Sequence, residues 1–353
     1  MNKEEILSIE KCGDLFSNDI DKCKEEYKVL SKQWHPDRNI DDTSDVFIKI
    51  TKLYKRAVNM IKSGTWEKTN YIEIKTNSSK TLAINYLSSF KFEIGMCYVC
   101  NENIIYIFDE DKEKYYFNAL KRIESIKYSD KKMEKNFSKL MPKVHSTYKT
   151  LEGRCCLVLS KPKDVVLLKD VFEYFDGSID DKHVAWIISR LSNIACFLKT
   201  NNIVHNGINI NNCFVFLENH LVYLFGGWWY ATKEDEKMLG TTKEIFSVMP
   251  ISSKQNKKSN LATDLESIKL LGRELLGEKN SKVPKEVTEF LNSGSSENPF
   301  KEFEKWDKSL IKAYKKKKFI KIVIENLYKR IWRIVIKNIF KHKKIYYKII
   351  VFL

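Results

Sequence analysis

The 353-residue sequence predicts an α+β multidomain protein, and three observations carry that prediction. Two amphipathic helical segments stand near the N-terminus. Residues 86–125 break into short apolar runs of strand character, and from about residue 184 the apolar spacing becomes helical. The length suits two domains, or three small ones. The boundaries fall as a helical hairpin over 1–66, a polar linker over 67–85, a mixed body over 86–314 and a basic apolar tail over 315–353.

Hydrophobic residues make up 43% of the chain and charged ones 31%, an ordinary balance for a soluble protein with a sizeable core. The formal net charge is +16, but it is not evenly spread. From Lys312 to Leu353 there are fourteen Lys and Arg against one acid, Glu325, which leaves about +3 for residues 1–311. A nearly neutral body argues against a general polyanion binder, so no specific nucleic-acid partner is expected. The eight cysteines are scattered, and the opening MNKEEILSIEK has no apolar signal stretch. Free thiols in a reducing cytoplasm are the expectation. Lys and Arg interrupt every long apolar run, so no transmembrane helix is predicted.

The first element is DKCKEEYKVLSKQW, residues 21–34. Cys23, Tyr27, Leu30 and Trp34 share one helical face, and Lys22, Lys24, Lys28 and Lys32 the opposite one. Pro36 ends that helix, because the residue before a proline is pushed out of the α region. A second helix is predicted from about Thr43 to Lys62, with Val46, Phe47, Ile50, Leu53, Tyr54, Ala57 and Met60 inward. The loop HPDRN then forms the tip of a two-helix finger.

QWHPDRN, set between a basic helix and a Phe47-x-x-Ile50-x-x-x-Tyr54 helix, resembles the signature of the J-domain family at His35, Pro36 and Asp37, with Arg38 beside them. The resemblance implies docking on a DnaK-type (heat-shock protein 70) chaperone and stimulation of its ATPase, with no chemistry in the hairpin itself. Pro36 makes the turn rigid, Asp37 can accept charge-assisted hydrogen bonds from a partner arginine, and the four lysines steer docking onto an acidic surface. Glu25 and Glu26 depart from the family's usual Lys and Ala, which narrows the partners accepted. The Gly/Phe-rich linker and repeated zinc motifs of a full DnaJ are missing; there is a single CxxC, Cys97 to Cys100, and zinc is not expected. The chain is thus similar to proteins that join a J-domain to an unrelated specificity domain.

Within the body, YLSSFKFEIGMCYV, NIIYIF and YYFNALKRI read as strands, residues 133–140 as a short helix, RCCLVL (154–159) as a strand, and 184–202 as a long amphipathic helix. IVHNGINI and the following NNCFVF come next, then HLVYLFGGWWYA. This order resembles the protein-kinase segment of helix, HRDxxxxN, hairpin and DFG. His205 matches the His, Asn206 the Arg, Gly207 the catalytic Asp and Asn212 the metal-binding Asn. LFGG, with Gly226, falls where DFG would lie. GTTKEIFSVMP (240–250) resembles an activation segment, Asp264 takes the buried structural position of the helix after it, and ALKRI (119–123) resembles the VAIK strand with Lys121 as the phosphate-pairing lysine. The phosphate loop would be Gly95 to Cys100, with cysteines at two glycine positions.

The departures remove chemistry. Gly207 can accept no proton, and Leu224 and Phe225 offer a magnesium ion no oxygen, whereas phosphoryl transfer depends on positioning and charge neutralisation. The resulting expectation is a two-lobed kinase-like domain without activity. It would be a pseudokinase platform recruiting an unidentified client, with no catalytic residue, no metal and no cofactor, and similar to certain bacteriophage chaperone-like J-proteins. The alternative is an atypical protein kinase targeted by its J-domain, in which Lys121, Asn212 and a displaced carboxylate carry the transfer. Segments 251–260 and 292–299 are turn-prone loops. The tail is compatible with contact to anionic lipid or nucleic acid, but a last helix with a frayed basic end, or an out-of-frame extension of an AT-rich gene, is preferred.

Overall fold

The structure is a computed structural model, and it describes residues 2–9, 12–38, 43–62, 66, 70–78, 80–278, 283–315 and 327. The chain divides into two units, Met1–Ile74 with Leu82–Tyr86, and Lys75–Thr81 with Leu87–Leu353. Beyond Lys315 and Leu327, the expectations for the tail lie outside the described residues.

In the first unit, a reciprocal capping box between Asn2 and Glu5 starts α1 (Lys3–Leu7). Asp19 accepts the N–H groups of Asp21 and Lys22 at 3.1 and 2.9 Å and opens α2 (Ile20–Gln33). Those donors have no partner inside the helix, which is why a short acidic side chain is favoured there. Pro36 follows in a tight 3₁₀ turn, Pro36–Arg38. α3 (Ser44–Lys62) runs back antiparallel: the Thr43 hydroxyl donates to the Trp34 carbonyl at 3.2 Å, Tyr27 stacks on Tyr54 at 3.9 Å, and Cys12 meets Met60. Such an aromatic pair adds about 0.5–1.5 kcal/mol beyond its burial. Cys23, Val46, Ile50, Leu53 and Ala57 form the core, closed by Ile6 and Phe16.

Residues 67–85, expected as a linker, contain two paired strands, β1 (Tyr71–Lys75) and β2 (Thr81–Asn85). Ile72, Ile74, Leu82 and Ile84 alternate with exposed residues, the period-two pattern of a strand.

The second unit opens with an antiparallel sheet of five strands: β3 (Ser88–Phe92), β4 (Gly95–Val99), β5 (Asn103–Phe108), β6 (Val144–Lys149) and β7 (Cys155–Ser160), ordered β3-β4-β5-β7-β6. β5 and β7 lie in the middle and are buried on both faces, hence their unbroken apolar sequences. Between β5 and β6 in sequence come α4 (Glu113–Glu124) and α5 (Lys131–Phe137).

Here the sequence expectation needs two corrections. Residues 115–123 are helix, not strand: Tyr116, Ala119 and Ile123 are buried at spacings of three and four, the helical period. Residues 95–100 are not a phosphate loop, because Gly95–Val99 is a strand of alternating burial and the hairpin turn is only Glu93 and Ile94.

The rest is mainly helical: β8 (Val166–Leu167), α6 (Leu168–Tyr174), α7 (Asp181–Thr200), β9 (Ile203–Val204), the hairpin β10 (Cys213–Phe216) and β11 (Leu221–Leu224), β12 (Thr232–Lys233), α8 (Lys243–Val248), α9 (Ile251–Asn256), α10 (Leu261–Leu276), α11 (Lys285–Asn292) and α12 (Pro299–Tyr314). The segment 251–260, expected as a loop, therefore begins as a helical turn and a half. α10 is fastened to α12 by a buried ion pair, Lys269 to Glu302 at 2.7 Å, with Lys269 also over the Phe290 ring. Burial pushes the Glu302 carboxyl up, but Lys269, the Ser296 N–H and Lys305 outweigh it and the net shift is down. No helix of the described residues is long and apolar enough to cross a membrane.

Candidate functional site in the 203–230 loops

α7 delivers the chain into β9, and β9 pairs with β12 through Val204 opposite Thr232 and Ile203 opposite Lys233. The loop that follows is held from below by α10. Asp264, in the first turn of that helix, accepts the backbone N–H of His205 at 2.7 Å and of Asn206 at 2.8 Å. Burial pushes the Asp264 carboxyl up to about 7, and the two backbone donors pull the other way.

Asn206 has a left-handed backbone (φ 56°), which Asn tolerates better than most residues. Its amide nitrogen lies within hydrogen-bonding distance of the Tyr230 carbonyl, the Thr232 hydroxyl and the Ser259 hydroxyl at 2.9–3.1 Å. A neutral crosslinker thus stands where the kinase-like pattern has an arginine. His205 is fully buried with its ring edge-on to Trp228 at 5.1 Å. Burial drives its imidazole down to about 3, so it is neutral and structural at ordinary pH.

Asn212 closes the other side. Its side-chain amide donates to the Gly207 carbonyl at 2.8 Å, and its backbone carbonyl accepts the Gly226 N–H at 3.0 Å. The two glycines after Phe225 are sterically required. A Cβ on Gly226 would collide with Asn212 Oδ1 and approach Tyr106 Oη at 2.7 Å; one on Gly227, whose φ is 81°, would meet His205 Cε1 at 2.6 Å. Gly207 is packed nearly as tightly, with Gly227 O 3.0 Å from an added Cβ. A side chain at 207 would need the Gly227 carbonyl to give by a few tenths of an ångström, a smaller shift than Gly226 or Gly227 would demand.

Lys121 does not join this site. It lies exposed on α4, while Tyr115, Asn118 and Arg122 of that helix reach the loops. The Asn118 amide donates to the Trp229 and Ala231 carbonyls at 3.0 and 2.8 Å, and Arg122 pairs with Glu236. The strand facing the 226–229 segment is β5, through Tyr106, whose ring is 4.9 Å from Trp229. Phe92 and Phe108 pack on the same tryptophan at 4.8 and 5.6 Å. At the β3–β4 turn, Glu93 accepts from the Tyr230 hydroxyl at 3.3 Å, bringing an exposed carboxylate to the residue that packs against Gly207. Neither Tyr106 nor Glu93 was singled out from sequence; the Trp228-Trp229-Tyr230 run after two glycines was the available signal.

A magnesium ion does not fit these residues. Leu224, Phe225 and Gly207 provide no carboxylate, and among the described residues no group of three or more His, Cys, Asp or Glu is placed to hold a metal. The eight cysteines, Cys97 and Cys100 included, are buried free thiols.

In the first unit, the α2 lysines Lys22, Lys24, Lys28 and Lys32 are exposed, with Lys24 paired to Asp21 at 3.1 Å. At the α2–α3 turn, the Asp37 N–H donates to His35 Nδ1 at 3.2 Å, and the Asp37 side chain is 84% exposed. The His35 ring rests edge-on against Phe47 at 5.2 Å. Glu26, noted for departing from the family pattern, accepts the Ser17 N–H at 2.7 Å and so closes the entry to α2.

No protein-family model matches the sequence, and no curated protein does. Among solved structures, the chain is similar to vaccinia related kinase 3 at 17% identity and a TM-score of 0.43, covering 74% of this chain and 82% of that one. It is also similar to a kinase-domain crystal structure at 9% identity and a TM-score of 0.41, covering 59% of this chain and 64% of the other. The body is a mixed helix-and-sheet fold, in which the long helix, loop, hairpin, glycine pair and Asp264-bearing helix follow one another in the order of the kinase pattern. The expectation that the chain is not an enzyme runs against these findings, because both similar structures are of kinases.

Proposed function

We propose that this protein is an atypical protein kinase whose N-terminal hairpin delivers it to a DnaK-type chaperone or to that chaperone's client. The observation that carries the reading is the loop frame around Asp264. Both backbone N–H groups at 205 and 206 are tied down, and Asn212 links Gly207 to Gly226. Fixing the 205–206 loop to one buried carboxylate is a means of holding reacting groups in place, and positioning is one of the two requirements of phosphoryl transfer. The displaced carboxylate is Glu93, which would take the proton of an accepting hydroxyl in place of the missing Asp at 207. Radiolabelled ATP incubated with the full chain and an unfolded client mixture tests this. Label transfer by wild type that Glu93→Gln reduces supports the reading; transfer that Glu93→Gln leaves intact removes Glu93 from it, and no transfer under any divalent-ion condition would defeat it.

The targeting half has its own support. His35, Pro36 and Asp37 sit at the turn between two antiparallel helices, with four lysines along the first. A rigid tip with an exposed acid beside a basic face suits docking on an acidic partner surface. Single-turnover ATP hydrolysis by a DnaK-type chaperone, with wild type and with His35→Gln, measures it separately from any kinase activity. Stimulation abolished by the substitution is the expected result.

A further inference from the structure

Residues 237–258 hold five lysines and a single acid, Glu244. They fold around a groove of about 440 Å³ lined by Met238, Leu239, Phe246, Lys243, Lys254 and Lys257, together with small polar residues and no carboxylate. Leu239 and Phe246 are 38% and 51% exposed, large apolar side chains left facing solvent beside the lysines. Lys254 lies over the Phe246 ring at 5.5 Å and donates to the Ser247 carbonyl at 2.9 Å. Among the described residues, Lys243 and Lys257 have no carboxylate within ion-pair distance.

The groove's wall is fixed to the candidate site. The Thr241 hydroxyl donates to the Asn206 carbonyl at 2.7 Å, and the Tyr115 hydroxyl to the Leu239 carbonyl at 3.0 Å. A preformed wall lowers the ordering cost of binding.

We infer that this groove binds an acidic peptide segment, with one bulky apolar side chain against Met238, Leu239 and Phe246 and flanking carboxylates on Lys243, Lys254 and Lys257. This deepens the proposed function by naming the polypeptide the kinase-like body receives, and it rests on that reading only for what happens after binding. The volume suits one anchor side chain and a short stretch of backbone. An unpaired set of cations around an apolar floor matches an anchor with an acidic surround.

The test uses the full chain without nucleotide, so that loss of phosphoryl transfer and loss of binding are read separately. Fluorescence anisotropy would follow a labelled peptide carrying one Phe among Asp and Glu, and its counterpart with Asn and Gln in their place. The acidic peptide is expected to bind about tenfold tighter, and a Lys243→Glu/Lys257→Glu variant to lose about tenfold for it, since charge complementarity is reversed. Phe246→Ala should weaken both peptides, and unchanged circular dichroism would show that each variant is folded. Equal affinity for the two peptides, or an unmoved affinity in Phe246→Ala, overturns the inference. So does an oligouridylate that binds as tightly and displaces the peptide.

Discussion

Asp264 and His205 are joined by a backbone hydrogen bond of 2.7 Å that fixes a loop across 59 residues of sequence separation. The carboxylate's other oxygen takes the next N–H at 2.8 Å, so one buried side chain sets the course of the loop on which the candidate chemistry depends. Replacing it with Asn keeps the shape but turns a donor toward one of the two N–H groups. Asp264→Asn should destabilise the second unit by about 1–3 kcal/mol, the range for orphaning a buried donor. A urea midpoint indistinguishable from wild type would show that the loop is held by something else.

Gly227→Ala is expected to be more damaging than an ordinary glycine substitution. The added methyl meets His205 at 2.6 Å, and the left-handed backbone at φ 81° resists any Cβ. Together these should cost about 2–4 kcal/mol, visible as a lowered melting temperature. The control is Gly294→Ala, where nothing lies within 4 Å and little change is expected.

Lys121→Ala and Asn118→Ala separate the sequence reading of α4 from the structural one. Lys121 projects into solvent and its truncation should leave stability within about 0.5 kcal/mol. Asn118 donates to two carbonyls of the 229–231 segment, and its loss should cost about 1–2 kcal/mol. Nucleotide affinity measured by calorimetry should likewise ignore Lys121→Ala. Abolished binding would restore Lys121 to the site.

A pH dependence follows from Asp170. Burial pushes its carboxyl up to about 7, with the Ser88 hydroxyl at 2.8 Å pulling it down. A carboxyl whose folded pKa exceeds its unfolded one favours the fold while protonated. Its contribution is complete below the unfolded value near 4 and is lost as pH rises through 7. Asp264 has the same sign, whereas His205, held down to about 3, loses its contribution as pH falls below 6.5. The informative quantity is therefore the difference between wild type and Asp170→Asn. The variant should gain on wild type between pH 5 and pH 8 in urea midpoint, and parallel curves would exclude a titrating Asp170.

Much of this arrangement was readable from sequence because it depends on local periodicity or on residue order. Cys23, Tyr27, Leu30 and Trp34 mark the inward face of α2 by spacing alone, and the order from α7 through the 205–212 loop to Asp264 follows the chain. Segments whose partners come from elsewhere were misread. Residues 115–123 carry β-favouring aromatics, and only burial of Tyr116, Ala119 and Ile123 against the sheet decides for helix. Glu93 and Tyr106 had no local signal at all; β-pairing brings one to Tyr230 and the other beside Trp229.

By itself, then, the sequence determined where the apolar faces fall, where the caps and turns lie, and that no acid stands at 207, 224 or 225. The tertiary structure alone decided which strand confronts the glycine pair, that a Cβ at Gly207 would press on the Gly227 carbonyl at 3.0 Å, and that Glu93 meets the Tyr230 hydroxyl. The physical reason is range. Helix periodicity and capping act within a few residues, whereas packing against Gly226 and Gly227 and acceptance by Asp264 join positions far apart in the chain, whose proximity only the folded backbone creates.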